Sequence, residues 1–478
     1  MTYTLRQYQQ ELVDRTRGAL SRGQRSALLV APTGSGKTVV ACHIIEQAKA
    51  KGTRTLFVAH RTELITQCSG KLHENGVDHG IIKAGFEPNP WLQVQVASVQ
   101  TYVRRADAIK HEYGLVIFDE AHHAAAASYQ KIREHNPDAI ALGLTATPYR
   151  ADGKGLKGTF DCLIESVTID ELIAQGHLVP SRVFVGRKVS MTGVSTRAGD
   201  YQIDELAETM NRPRITGEIV SAWSRLAYGR VTVCFATNVA HSQALAAAFV
   251  ARGIRAEHLD GTTPADERAA ILERLERGET QVVCNCGVLT EGWDCPPCSA
   301  IILARPTKSR GLWRQMGGRP LRPCPEIHKV DCLILDHGNC TAQHGYITDP
   351  DVVSLEEGMR APDVTTKYRC KACSAVCLSR PLYCPKCGVC TRESRQLEID
   401  LAATAGTMVD GWEMIEVTPA TYRPKPKPSP AAGEFLFLRD VKTGKERGYK
   451  PGWANARHQR RYGHWPNREL LAKAGNVA

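Results

Sequence analysis

The stretch Ala31–Thr38, APTGSGKT, constrains the fold of this chain more than any other eight residues. It follows an apolar run, Ser26–Ala31 (SALLVA), and precedes TVVACHIIEQAKA, which reads as a helix. A Gly-rich turn between a strand and a helix aims consecutive backbone N–H groups at an anion, and the helix N-terminus adds the positive end of its dipole. Thr33, Gly34, Ser35 and Gly36 build the turn, and the two glycines permit φ > 0 and a close approach of backbone to phosphate. Lys37 is placed to reach the outer phosphates of a nucleotide and Thr38 to hold Mg²⁺. The strict pattern opens on Gly where this chain has Ala31, so the strand–loop–helix setting carries the assignment.

A loop of this kind demands a parallel sheet, and the surrounding pattern supplies one. Thr55–His60 (TLFVAH), Val94–Ser98, Leu115–Asp119 (LVIFD) and Ala139–Thr145 (AIALGLT) are short Val/Ile/Leu-rich runs separated by helix-length stretches. That alternation predicts a doubly wound α/β unit over residues 1–182. Residues 183–215 are polar and irregular and read as a connector. A second alternating series, with strands at Val231–Ala236, Arg255–Leu259, Gln281–Asn285, Ala300–Ala304 and Cys332–Leu335, predicts a second α/β lobe over 216–345. Two lobes of similar size imply a cleft between them.

Phe118–His122 (FDEAH) closes one of the first-lobe strands. Asp119 can bind Mg²⁺ through water, and Glu120 can orient or deprotonate an attacking water. Together with the Gly-rich loop, LTATP (Leu144–Pro148) and QMGGRPLR (Gln315–Arg322), in this order and spacing, the chain resembles superfamily 2 DEAH-box helicases and translocases over about 340 residues. GWDCP and GRPLRP place the resemblance nearest the bacterial and phage RadD-like and restriction-motor-like branch.

The resemblance implies a fold of two tandem RecA-like lobes with ATP bound between them, and it implies a role for each matching residue. In LRQYQ (Leu5–Gln9), Gln9 hydrogen-bonds the adenine and Arg6 stacks on it. Lys37, Thr38, Asp119 and Glu120 come from the first lobe. Arg319 and Arg322 come from the second as cations on the transferring phosphate, with Gln315 positioning the water or the arginines. Asp294, in VLTEGWDCP, lies where nucleotide and nucleic acid are both felt. His122, Thr145 and Thr147 link the phosphate state to the lobe arrangement. Arg61, Thr101, Thr237 and Thr290 are candidates for sugar–phosphate contacts, which carry little sequence information.

Seventeen cysteines are many for one chain. Cys370-Lys-Ala-Cys373, ten residues, then Cys384-Pro-Lys-Cys387-Gly388 form two CxxC knuckles, a four-thiolate set suited to Zn²⁺ in a ribbon over residues 365–392. A redox dithiol is the competing reading. Cys377 and Cys390 are read as spare thiols, and Cys295-Pro-Pro-Cys298 as packing.

Beyond the ribbon, residues 393–430 read as a linker ending in RPKPKPSP, and 431–478 as a basic, aromatic segment with ten Lys/Arg against four Asp/Glu. Tyr449, Trp453, Tyr462, His464 and Trp465 lie among those charges, which suits a single-strand or fork grip; a small folded cap is the alternative. The formal net charge of +11 also suits a polyanionic partner. DNA, single-stranded or forked, is favoured over RNA, and the ribbon or the C-terminal segment can dock a protein. The resemblance also points to a role in repair, recombination or replication, with a non-motor ATP switch as the alternative from another class. The five ATP-site residues Lys37, Asp119, Glu120, Arg319 and Arg322 speak against that alternative. No apolar run is long enough to span a membrane, and a cytoplasmic, bacterial or phage-encoded protein is expected.

Overall fold

The computed structural model describes residues 4–349, apart from 110, 124–126, 149–154, 187–188, 190, 192, 198 and 291, together with residues 353–356 and three short strands beyond them. The first lobe begins with α1 (Gln7–Ser21) and β1 (Ser26–Val30), then α2 (Lys37–Ala50), β2 (Thr55–Ala59), α3 (Thr62–Glu74), β3 (Gly80–Ile82), β4 (Val94–Ser98), α4 (Val99–Arg105), β5 (Leu115–Phe118), α5 (Ala127–Glu134), β6 (Ile140–Thr145) and β7 (Cys162–Glu165). Its seven strands run parallel in the order β3-β4-β2-β5-β6-β1-β7. Five of them were legible as apolar runs. Residues of β1, β2, β4 and β5 are buried throughout, because helices cover both faces and leave no side for polar alternation.

The second lobe differs from expectation at its start. α6 (Ile169–Ala174) leads into β8 (Ser181–Val185), and β8 pairs with the last parallel strand of the second sheet, Ser181 opposite Cys332. The lobe boundary therefore precedes β8 rather than following residue 182. Val183, Phe184 and Val185 are buried on that sheet, so their apolarity finds its partner in the second lobe. The expected irregular connector holds, after β8, a two-stranded hairpin of β9 (Thr196–Arg197) and β10 (Asp200–Tyr201), then α7 (Ile203–Met210). α8 (Pro213–Leu226) starts inside it with proline in its first turn, where the missing N–H costs nothing.

Then come β11 (Thr232–Phe235), α9 (Val239–Val250), β12 (Ala256–Leu259), α10 (Ala265–Glu276), β13 (Val282–Asn285), β14 (Ala300–Leu303), α11 (Arg310–Gly317), β15 (Cys332–Asp336) and α12 (Cys340–His344). Asp336 ends β15 and accepts the N–H groups of Cys340 and Thr341 at 3.0 and 2.7 Å, so Asp336-His337-Gly338 is the strand-end turn that starts α12.

Three short strands lie beyond α12: β16 (Tyr368–Arg369), β17 (Val376–Cys377) and β18 (Ile415–Val417). The second sheet runs β12-β13-β11-β14-β15-β8-β18, and only β18 is antiparallel. β18 falls in the expected 393–430 linker and extends the sheet. The four cysteines expected to hold zinc, the Pro/Lys run and the 431–478 segment lie outside the described residues.

Candidate functional site

Three first-lobe strands end at one edge of their sheet and deliver the site there. β1 runs into the Gly-rich loop, β5 into Asp119–His122 and β6 into Thr145–Pro148. Ligands of open parallel sheets bind at this carboxyl edge.

The loop folds as its glycines allow. Gly34 (φ 85°) and Gly36 (φ 81°) are both left-handed, and Gly36 is the residue from which α2 starts. A Cβ at Gly36 would lie 2.5 Å from Gln9 Nε2, and one at Gly34 would lie 2.9 Å from Leu178. The left-handed φ at both positions demands glycine, and a Cβ at either would also displace a side-chain tip. Ser35 turns its hydroxyl to Pro32 O (2.7 Å), and its carbonyl accepts from Tyr8 Oη and Gln9 Nε2, both at 2.9 Å. Gln9 thus contacts the loop backbone directly, and its Oε1 accepts the Arg6 N–H at 3.0 Å.

Lys37, Asp119 and Glu120 share a buried space. Lys37 Nζ donates to Ala31 O at 3.3 Å and Pro32 O at 3.5 Å. Burial lowers its pKa, and the Glu120 and Asp119 carboxylates partly restore it. Burial, with Glu120 alongside, pushes the Asp119 carboxyl up to about 7. Two acids side by side without a full complement of cations behave this way, and the donor set Thr38, Asp119 and Glu120 suits a hard divalent cation that would favour the ionised form. Glu120 itself holds φ 47°, an uncommon backbone for a side chain with a Cβ. Behind it, His122 Nδ1 lies 3.4 Å from Glu120 Oε2 and 3.3 Å from Thr145 Oγ1. Thr145 Oγ1 donates to Thr147 O at 2.8 Å and accepts the Thr147 N–H at 3.0 Å. One chain of polar contacts, through His122, Thr145 and Thr147, therefore joins the β5 and β6 strand ends.

The second lobe closes the space. A cavity of about 670 Å³ is lined by Arg6, Gln9, Thr33, Gly34, Gly36, Lys37, Thr38, Asp119 and Glu120 on one side and by Asp294, Gln315, Arg319 and Arg322 on the other. Of the residues expected to bind nucleotide, Ser35 alone is not in this lining. Gly318 abuts the loop so closely that a Cβ there would meet Thr33 at 2.8 Å.

The two arginines sit differently. Arg319 is buried and forks onto backbone, donating to Thr290 O (2.6 and 3.2 Å) and Trp293 O (2.6 Å). Arg322 pairs with Asp294. Their positive charge lowers the Lys37 pKa, which places both within electrostatic reach of the phosphate loop.

Of the four candidate nucleic-acid residues, Arg61 and Thr290 meet, while Thr101 and Thr237 stand apart from them. Arg61 reaches across to the second lobe, donating to Val288 O at 3.1 Å and Gly287 O at 3.4 Å, with Thr290 Oγ1 at 3.5 Å. Thr290, 6 % exposed, lies under it. Thr237 is 1 % exposed and bonded to His241 at 2.9 Å, so its hydroxyl supports the loop instead of presenting itself to a strand. Burial moves His241 down to about 4, which keeps it neutral as that partner. Thr101 is half-buried on α4.

The Cys295–Cys298 pair is buried, and burial drives both thiols up, Cys298 to about 11, so they are protonated packing groups. Sequence reasoning missed the ion pair of Glu63 with Arg268 (2.8 Å) that ties α3 to α10. It also missed the loop at residues 176–179 that flanks the cavity. Neither leaves a local signal, since each depends on segments far apart in the chain.

Comparison with known proteins agrees with this arrangement. The family described as "Type III restriction enzyme, res subunit" matches residues 2–150, and "Helicase conserved C-terminal domain" matches 214–324. A "51.5 kDa protein" of Lactococcus phage isolate 7-9 is 32 % identical over 366 residues, 76 % of this chain and 77 % of the phage protein. A candidate ATP-dependent helicase of Saccharomyces cerevisiae, IRC3, is 31 % identical over 391 residues, 75 % of this chain; the chain spans 54 % of that relative's length. Among solved structures, the fragment of a candidate type I restriction HsdR subunit from Vibrio vulnificus superposes with a TM-score of 0.57 at 21 % identity, over 72 % of this chain and 67 % of that one, a likeness of fold.

Proposed function

Since the chain belongs to the superfamily 2 helicases and is an ATP-hydrolysing enzyme of that kind, we propose that it is a DNA translocase that uses ATP to step along or remodel single-stranded or forked DNA in repair, recombination or replication. The observation that carries the reading is the convergence of Lys37, Asp119 and Glu120 with Gln315, Arg319 and Arg322 on one interlobe cavity. In the turnover we propose, the loop N–H groups and Lys37 hold the phosphates; Thr38 and Asp119 would hold a Mg²⁺, which would supply neutralisation of the developing charge. Glu120 orients and deprotonates the attacking water. Arg319 and Arg322 stabilise the transferring phosphoryl group from the second lobe, with Gln315 positioning them. Arg6 and Gln9 take the base. His122, Thr145 and Thr147 pass the loss of the outer phosphate to the lobe contacts.

DNA is favoured over RNA because the first-lobe match is to a restriction-enzyme subunit and a type ISP restriction-modification enzyme solved on DNA shares the fold, with a TM-score of 0.52. The track contacts phosphate and sugar, so affinity should fall steeply with salt. The expected result is ATPase activity stimulated by single-stranded or forked DNA, with a binding constant that drops at least ~10-fold between about 50 and 200 mM salt. Stimulation by RNA alone favours the RNA helicase, and a flat salt response removes the backbone-tracking mechanism. Among the described residues no helix is long and apolar enough to cross a membrane.

We further propose that Cys370, Cys373, Cys384 and Cys387 hold one structural Zn²⁺. The supporting observation is the antiparallel pairing of β16 with β17, Tyr368 opposite Cys377, on either side in sequence of the first CxxC knuckle. Cys384→Ser is expected to lower bound zinc from one equivalent to none by elemental analysis while ATPase activity without DNA persists. Zinc-free wild-type protein, purified without chelator, would refute the site. The basic 431–478 segment is read as a DNA or partner grip beyond the motor.

A further inference from the structure

The cavity holds one side chain that the mechanism above does not use. His177 lies in the loop between α6 and β8, on the lining beside Arg6, Gln9 and Gly36. Its position is built rather than incidental. Gly176 turns left-handed (φ 71°) to end α6, and the His177 N–H donates back to Leu172 O at 2.8 Å. The next residue, Leu178, is buried against Gly34 of the phosphate loop.

Behind the imidazole stands Tyr8, with ring centroids 5.6 Å apart. Tyr8 is buried and does not line the cavity, so it backs His177 while His177 borders the open space. Tyr8 is itself fixed by its hydroxyl on Ser35 O and by Arg6 Nη1 at 3.4 Å. Burial and the Arg6 charge both lower the His177 pKa, which keeps the ring neutral near pH 7.

A neutral, backed aromatic ring at the rim of an anion site is poorly suited to phosphate and well suited to a flat heterocycle. Arg6 supplies a second planar group, and Gln9 supplies the amide that can pair with a base edge. We propose that His177 stacks on the nucleobase, so that the base lies between the imidazole and the Arg6 guanidinium. The ligand class is a purine nucleoside di- or triphosphate. This inference rests on the ATP-site reading and adds the residue that discriminates nucleotides from bare polyphosphate. The same loop touches the arginine turn, because the Val179 N–H donates to Leu321 O at 2.8 Å, between Arg319 and Arg322. A base seated on His177 therefore also braces that turn.

The test compares inhibition of DNA-stimulated ATPase by ADP and by inorganic pyrophosphate in wild type, His177→Ala and His177→Phe. The expected result for His177→Ala is an ATP KM and an ADP inhibition constant raised about tenfold with an unchanged pyrophosphate constant. His177→Phe, which restores a flat ring, is expected to recover most of the lost ADP affinity. An ADP constant unchanged in His177→Ala, or equal weakening of ADP and pyrophosphate, overturns the stacking role. Wild-type protein that neither ADP nor pyrophosphate inhibits would overturn the ATP-site reading itself, which separates the two failures.

Discussion

Glu120→Gln is expected to bind ATP with near wild-type affinity and to hydrolyse it roughly 10²–10⁴-fold more slowly, the span associated with losing a positioned general base. The amide keeps the size of the carboxylate and the φ 47° backbone, so the strained turn stays occupied by a comparable side chain. It cannot take a proton from water. It also relieves the acid pairing that pushes the neighbouring Asp119 carboxyl up, so that carboxyl should ionise more readily and metal-dependent nucleotide binding should be preserved or tightened. Lys37→Ala should fail differently, losing affinity for the nucleotide itself, because its ammonium lies within the phosphate loop, against Ala31 O and Pro32 O. Equilibrium binding and single-turnover hydrolysis, measured side by side, distinguish the two. Substantial DNA-stimulated turnover in Glu120→Gln would remove Glu120 from the mechanism.

Arg319→Ala carries the second large expectation. An arginine on the transferring phosphoryl group is typically worth ~10³–10⁵ in rate. Here the guanidinium also satisfies the Thr290 and Trp293 carbonyls in a buried setting, so truncation leaves polar groups orphaned at a cost of about 1–3 kcal/mol. The two effects part on measurement. Loss of a phosphate cation drops single-turnover rate by at least ~10³ with ATP affinity nearly intact. Loss of the carbonyl ties lowers the unfolding midpoint. Arg319→Lys separates them further, since it keeps the charge and loses the fork that reaches both carbonyls. If Arg319→Lys and Arg319→Ala both retain hydrolysis and differ from wild type only in stability, Arg319 is a tie within its own lobe and Arg322 is left as the phosphate cation.

The site was legible in the sequence to the extent that each part sits on one local element. Gly34, Gly36 and Lys37 are fixed by a loop and its helix, and Asp119 and Glu120 by a strand end; such segments announce themselves in a few adjacent residues. Arg319 was legible as a cation but its carbonyl partners were not, because Thr290 and Trp293 are brought to it by tertiary folding. Thr237 shows the opposite error. A hydroxyl at a loop looks available for phosphate until burial against His241 is known. The lobe boundary was misplaced for a related reason. β8 reads as the tail of the first alternating series, and only hydrogen bonding to Cys332–Asp336 assigns it to the second. β18 was hidden altogether, since three residues are too few to establish a period.

That last strand bears on how the chain is made. β8 leaves the ribosome more than two hundred residues before β18 arrives to cover its outer edge. At ~5–20 residues per second, synthesis leaves that edge bare for about 10–50 s. An unpaired strand edge invites association with other chains, and charge along it is a common deterrent. Pro180 stands just ahead of β8 and Arg182 lies on it, with the Arg182 guanidinium stacked over the Phe184 ring at 5.4 Å. A proline and a charge thus border an edge that the finished protein closes with its own late-made strand.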